Sequence, residues 1–99
     1  MIRASCGGAH LTVRGHAGYG EYGKDIVCAA ASALVYALAG RLRETGRLER
    51  FQSAPGYVGI AGTGDCAREF ALVRCGLALL ARQYPDRVEI CLLYTSPSP

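Results

Sequence analysis

The chain has 99 residues, about half of them hydrophobic and a fifth charged, and a formal net charge of +3. This length supports one domain with one modest core, and the composition is ordinary for a globular protein. No apolar run approaches the roughly 20 residues of a membrane-spanning helix, and the N-terminus lacks the apolar segment of a signal peptide. We therefore expect a cytoplasmic protein with no membrane contact.

Cysteine and arginine usage narrows the function classes further. An odd count of five cysteines, none in a Cys-x-x-Cys pair, argues against both a disulfide framework and a zinc site. We expect no metal and no cofactor. Arg41, Arg43, Arg47 and Arg50 form a small cluster that could contact RNA. Because the aromatic residues of a nucleic-acid surface are not interleaved with it, the pattern favours a solvated helix end.

The first half of the chain predicts a hairpin, a loop and a helix. Residues 1–5 and the alternating segment 10–16 are candidate strands around a glycine turn at 6–9. A loop rich in glycine and tyrosine follows at 17–24. A helix should then begin near Asp25, a good N-cap residue, and stop at Gly46. The apolar residues that recur at helical spacing in it are Val27, Ala30, Ala31, Leu34, Val35, Leu38 and Leu42.

The second half predicts a hairpin, a helix and a last strand. Two strands surround a turn at 54–56, and Asp65 is a second candidate N-cap. Apolar residues from Cys66 to Tyr84 then step by four and three, as in an amphipathic helix of about five turns. Pro85 ends this helix, and residues 87–93 form a strand.

The order ββαββαβ predicts an α+β fold, a two-layer sandwich in which two helices pack on one mixed β-sheet. We expect a single domain over residues 1–90. Residues 91–99 would complete the last strand and then form a disordered tail or a sequence scar, because the end is polar and proline-rich.

Cys28 is the candidate nucleophile. A helix that begins at Asp25 places Cys28 in its first turn, where unpaired N–H groups favour a thiolate. His16 lies 12 residues upstream, and the intervening loop could bring its imidazole to the thiol. Asp25, Cys28 and Ser32 share one stripe of the helix, so the aspartate and the serine could support the site. On spacing alone, a structural role is the more frequent outcome for each of these residues.

The loop between His16 and the helix is a candidate flap over such a site. Glycines punctuate it and make one rigid shape hard to hold, and its tyrosines could contact substrate. The residues concerned are Gly18, Tyr19, Gly20, Tyr22 and Gly23.

The segment GHAGYGEYGKDIVCAAASAL, residues 15–34, resembles the signature of the Prp family of ribosomal-processing cysteine proteases. It contains a Gly-His-Ala, a glycine-rich loop, a Gly-x-Asp-x-Val-Cys-Ala-Ala and a serine soon after. The resemblance implies a homodimeric endopeptidase that removes a short, Phe-containing N-terminal extension from a large-subunit ribosomal protein. It also implies Cys28 as nucleophile, His16 as general base, Asp25 and Ser32 as supporting residues, and the Gly/Tyr loop as a moving flap.

Two other functions compete with this one. A non-catalytic ribosome- or RNA-associated binding module would use the positive charge, bind RNA in a salt-dependent manner and be indifferent to Cys28→Ala. A redox sensor built on Cys28 would need a resolving thiol nearby, which the sequence does not place.

Overall fold

The computed structural model describes residues 1–15 and 25–92, the side chain of Asp25 excepted. Five strands and two helices follow one another in the predicted order, which confirms the α+β fold. Their bounds are β1 Ile2–Cys6, β2 His10–Arg14, α1 Asp25–Glu44, β3 Leu48–Ala54, β4 Tyr57–Gly62, α2 Ala67–Gln83 and β5 Val88–Leu92. The predicted loop at 17–24 and the predicted tail beyond residue 92 lie outside the described residues.

The five strands form one mixed sheet in the order β3-β4-β2-β1-β5. Three of the pairings are antiparallel, and β1 with β5 is parallel. A parallel neighbour requires a crossover connection, which the chain between β1 and β5 supplies through α2. The mixed sheet expected from the element order is thus confirmed.

The core lies between one face of this sheet and the two helices. Leu42 of α1 and Leu77 of α2 are fully buried, and alternate residues of β1 point at them. A side chain at Gly76 would meet Leu34, so the glycine lets α2 pack closely against α1. The buried residues are Ile2, Ala4, Cys6, Leu11, Val27, Ala31, Val35, Leu38, Ala39, Leu42, Ile60, Cys66, Phe70, Val73, Leu77 and Val88.

The opposite face of the sheet is polar and open. Arg3 on β1 donates to Glu89 on β5 over 3.1 Å, with both side chains exposed. The Arg14 guanidinium carbon lies 5.0 Å from the centre of the Tyr57 ring on β4. A sheet covered on one side alone is typical of antiparallel pairings, so this face needs no further layer.

Helix α1 differs from the sequence expectation in one respect. By length and composition, its segment Ile26–Glu44 is long and apolar enough to cross a membrane. Its buried positions, such as Val27, Val35 and Leu42, pack in the core between the sheet and α2. About a third of this segment is buried in that core.

The predicted start of α2 is wrong by one residue. The N-cap is Cys66, not Asp65, and it makes no side-chain capping hydrogen bond. Cys66 is almost fully buried, and its Sγ occupies the space that a side chain at Gly62 would need. Packing of the thiol under the sheet sets the helix start, while Asp65 remains exposed.

Candidate active site

Cys28 is the fourth residue of α1 and lies in its first turn, as the sequence predicts. The first four N–H groups of a helix have no partner within it, and they carry a partial positive charge. The thiol is partly buried and packs against the core. Cys28 therefore combines a fixed position with an electropositive backbone, which suits a nucleophile.

A cavity of about 180 Å³ opens beside Cys28. One wall is the face of α1 that carries Cys28, and the other walls come from all the strands except β5 and from the segments that follow β2 and β3. The lining is mostly apolar. The residues that line it are Ile2, Val13, Gly15, Cys28, Ala31, Ser32, Val35, Tyr36, Ala54, Gly56, Tyr57 and Val58.

Gly15 holds the end of β2 against the cavity. Its φ of +91° lies in the left-handed region, and a Cβ there would collide with the carbonyl oxygen of Met1. Its N–H donates to the carbonyl of Gly56 over 2.8 Å. Only glycine fits this conformation and this close approach. Gly15 also directly precedes the candidate base, His16, in the chain.

Tyr36 of α1 lines the same cavity and reaches the edge strand β3. Its hydroxyl lies 3.0 Å from Ser53 Oγ, at hydrogen-bond distance. Its ring meets the Phe51 ring edge-on, with centroids 5.9 Å apart. The helix and the β3–β4 hairpin are thereby joined at the side of the cavity.

Of the predicted site residues, the structure brings Cys28 and Ser32 to one cavity. Asp25 is the first residue of α1, but its side chain lies outside the described part of the chain. His16 lies outside the described residues, as do the predicted flap residues Gly18, Tyr19, Gly20, Tyr22 and Gly23. The catalytic assignments to Cys28 and His16 therefore stay predictions.

Among the residues around the cavity that sequence reasoning missed are Tyr36, Gly15 and Ser53. Tyr36 follows Cys28 at i+8 and Ser32 at i+4, a spacing that could have placed it on the same helix face. The sequence indicated Gly15 only as part of the Gly-His-Ala motif. Nothing in the sequence indicated Ser53, because its approach to α1 depends on how β3 pairs with β4.

Comparison with known families decides the class. The family model described as cysteine protease Prp matches residues 3–89. The chain belongs to the Prp family. It is accordingly a cysteine protease, and the resemblance inferred from residues 15–34 is confirmed.

Solved structures agree with the Prp family assignment at the level of the fold. The crystal structure of SMU.848 from Streptococcus mutans is 28% identical with a TM-score of 0.80, and the match covers 96% of each chain. The ribosomal processing protease Prp from S. aureus with a covalently linked product peptide is 20% identical with a TM-score of 0.81. The same protease with a substrate peptide is 19% identical with a TM-score of 0.80. Both S. aureus matches cover 94% of this chain and 100% of theirs. No curated protein sequence gave a significant match.

The five cysteines of this Prp-family protein form no disulfide, and they fall into distinct environments. Cys6 and Cys66 are buried, whereas Cys75 and Cys91 are exposed. Burial raises the pKa of the Cys6 thiol, against a smaller opposing effect of Arg74. Cys75 is therefore the natural reference thiol for Cys28, since it is accessible and does not line the cavity. Within residues 1–15 and 25–92, no three His, Cys, Asp or Glu residues converge as metal ligands.

The arginine cluster has local partners. Arg41 pairs with Glu44 over 3.1 Å, and the Arg43 guanidinium carbon lies 6.0 Å from the centre of the Phe51 ring. These contacts are consistent with the solvated helix end favoured by the sequence.

Proposed function

We propose that this protease is an endopeptidase that removes a short N-terminal extension from a large-subunit ribosomal protein, with Cys28 as nucleophile and His16 as general base. The observation that carries the proposal is the position of Cys28, in the first turn of α1 and on the wall of a cavity. Family membership supports it. So does the fold shared with a ribosomal processing protease that was crystallised with substrate and product peptides.

The chemistry follows from these roles. His16 takes the proton of the Cys28 thiol, the thiolate attacks the scissile carbonyl carbon, and the N–H groups at the start of α1 stabilise the oxyanion. His16 protonates the departing amine, which is the new N-terminus of the ribosomal protein. His16 then takes a proton from water, and the resulting hydroxide releases the extension from the thioester as a carboxylate. Asp25 orients His16, and Ser32 supplies a hydroxyl one turn beyond the nucleophile.

The glycine- and tyrosine-bearing loop completes the proposed site. Its glycines allow the segment to open and close over a bound peptide, and Tyr19 and Tyr22 contact that peptide. A large apolar residue of the extension, such as phenylalanine, supplies contact area in the apolar cavity.

The proposed enzyme acts in the cytoplasm, where ribosomal proteins are made, and works as a homodimer. Membership of the Prp family, whose resemblance implies a homodimer, supports self-association. Sedimentation across a range of protein concentrations tests the dimer. A mass equal to one chain at every concentration would contradict it.

A cleavage assay tests the activity. The full chain is incubated with a peptide that spans the extension junction of the ribosomal protein, and mass spectrometry locates the cut. We expect one defined cut, and a loss of at least about 10³-fold in kcat/KM for Cys28→Ala and for His16→Ala. Cys75→Ala, which removes an exposed thiol away from the cavity, should cleave like the wild type. Equal cleavage by Cys28→Ala and the wild type would refute the assignment.

Thiol alkylation tests the nucleophile without a substrate. At neutral pH, iodoacetamide should modify Cys28 faster than the more exposed Cys75, because the helix N-terminus favours the thiolate. If Cys28 reacts no faster than Cys75, the activated thiolate is wrong. If RNA binding is found to be strongly salt-dependent and unaffected by Cys28→Ala in a protein that cuts no peptide, the binding-module alternative is favoured.

A further inference from the structure

Tyr36 occupies a distinctive place relative to Cys28. The two residues are eight positions apart on α1, which corresponds to about 12 Å along the helix axis. Both line the same cavity, with Ser32 between them. An extended peptide covers that distance in about three to four residues, since a strand rises about 3.3 Å per residue. Tyr36 is therefore within reach of a substrate side chain that lies near, but not at, the scissile bond.

The Tyr36 ring is held on two sides. Its hydroxyl is 3.0 Å from Ser53 Oγ, and its ring packs edge-on at 61° against Phe51, which itself lies under Arg43. Even so, Tyr36 is 46% exposed. A large aromatic ring that is fixed in place and still open to solvent provides a preorganised contact surface, because little side-chain entropy remains to be lost on binding.

The cavity matches one large apolar side chain in size and lining. Its volume of about 180 Å³ exceeds the roughly 150 Å³ of an apolar cavity that binds benzene. Val13, Val35 and Val58 supply branched aliphatic walls. A ring inserted there would meet aliphatic groups on several sides and an aromatic ring at Tyr36.

We propose that Tyr36, held in position by Ser53, is a specificity-determining residue: its ring forms one wall of a subsite that takes a single large, preferably aromatic, side chain of the substrate. This inference rests on the proposed endopeptidase function. Aromatic pairs contribute beyond the area they bury, by an amount that corresponds to about two- to tenfold in affinity. Removal of the Tyr36 ring should lower the preference for an aromatic side chain by that factor.

A purely structural contact makes a different prediction. If the Tyr36–Ser53 pair serves only to fasten α1 to β3, its removal lowers stability and affects all substrates alike. A specificity determinant instead changes the ratio between substrates that differ at one position, and it does so mainly through KM. Selectivity at one position thus separates the two roles.

The experiment uses the full chain and a set of junction peptides in which a single Phe or Ala occupies each of the four positions on either side of the scissile bond. For the wild type we expect one position at which Phe is preferred in kcat/KM by about tenfold or more. Tyr36→Ala should lower this preference by about two- to tenfold, chiefly through KM, and leave the other positions unchanged. Leu72→Ala, on the exposed side of α2, is the control and should keep the wild-type profile. An unchanged preference in Tyr36→Ala would overturn the proposal.

Two milder variants guard against misfolding. Tyr36→Phe keeps the ring and loses the hydroxyl, and Ser53→Ala removes its partner. Both variants should raise the KM of the Phe peptide about two- to fivefold and change the KM of the Ala peptide little. Equal effects on both peptides would mean that the pair is structural.

A binding measurement separates failure of this inference from failure of the proposed function. In the Cys28→Ala background, fluorescence anisotropy reports the Kd of the same labelled peptides, so selectivity is read where no bond is cut. If the wild type cleaves nothing while Tyr36 still controls the Phe preference in Kd, the subsite stands and the protease assignment fails. If cleavage is specific and the selectivity in Kd does not depend on Tyr36, the proposed subsite is refuted and the protease function stands.

Discussion

Gly15→Ala changes the backbone beside the cavity and leaves the proposed catalytic side chains in place. Gly15 has a φ of +91°, and a methyl group there would collide with the carbonyl oxygen of Met1, the residue that directly precedes the neighbouring strand β1. Its N–H is also tied to Gly56, which lines the cavity. Backbone atoms are not free to rotate away as a flexible side chain would be, so the end of β2 must shift.

The magnitude follows from two separable costs. A non-glycine residue at such a φ costs about 1–3 kcal/mol. Overpacking against a fixed neighbour costs about 1–3 kcal/mol more. We therefore expect Gly15→Ala to lower the free energy of unfolding by about 2–6 kcal/mol, out of the roughly 5–15 kcal/mol typical of a domain. For a chain of this length that corresponds to a fall in Tm of at least about 8 °C.

Two other glycines separate the costs. Gly46 has a φ of +72° with no atom near enough to collide with a methyl group, so Gly46→Ala should cost only the backbone strain, about 1–3 kcal/mol. Gly40 lies inside α1 with space around it, so Gly40→Ala should stabilise by about 0.5–1 kcal/mol. Urea unfolding of the three variants, followed by circular dichroism, measures all three values under one condition.

The ordering of these variants decides the argument. Gly15→Ala should be clearly less stable than Gly46→Ala, and its kcat/KM should fall even at temperatures where it is fully folded, since Gly15 lines the cavity and precedes His16. If Gly15→Ala proves as stable as Gly46→Ala, the close approach to Met1 is not a constraint and the reasoning is refuted.

Three further predictions follow from the same structure. Leu77→Ala should lower the free energy of unfolding by about 2–5 kcal/mol in urea titrations, because Leu77 is fully buried between the layers, whereas Leu72→Ala, 72% exposed, should change it by less than about 0.5 kcal/mol. Burial raises the pKa of the Cys6 thiol above its ordinary value of 9.0. The contribution of the neutral thiol to stability is therefore complete below pH 9.0 and is lost as the pH rises through the higher folded pKa. In that alkaline range, the free energy of unfolding of the wild type should fall more steeply than that of Cys6→Ala. Ala31→Val adds two methyl groups to the lining of the cavity and should raise the KM of the Phe peptide with little change in kcat. Equal kinetics of the variant and the wild type would show that the substrate does not bind in the cavity.

Local sequence rules were sufficient for most of the fold. The apolar spacing from Val27 to Leu42 marks α1 because one face of it is buried, and alternation in residues 10–14 marks β2 because one face of the sheet is open. The start of α2 escaped prediction because a tertiary contact, the thiol of Cys66 beneath Gly62, outweighed the capping preference of Asp65.

The same contrast between local signals and tertiary contacts applies to the candidate site. Cys28 was found from sequence because its position depends on one nearby event, the start of α1 at Asp25. The cavity was not found, because its walls come from four strands and one helix whose juxtaposition depends on sheet order. Ser53 approaches Tyr36 only when β3 pairs with β4 in the observed register, in which Ser53 faces Val58.

This division bears on how such a protease can change its substrate. The nucleophile is positioned by the first turn of α1, whereas another wall of the cavity is built by the β3–β4 hairpin, whose turn residue Gly56 and strand residue Ala54 line it. The Tyr36–Ser53 hydrogen bond connects the two parts near that wall. Because substitutions in the hairpin leave the helix start untouched, they can alter which side chain is accepted while the thiol keeps its environment. Part of the specificity therefore rests on a segment that does not carry the nucleophile, and we expect variants at Ala54 to change KM ratios between peptides without changing the rate at which iodoacetamide modifies Cys28.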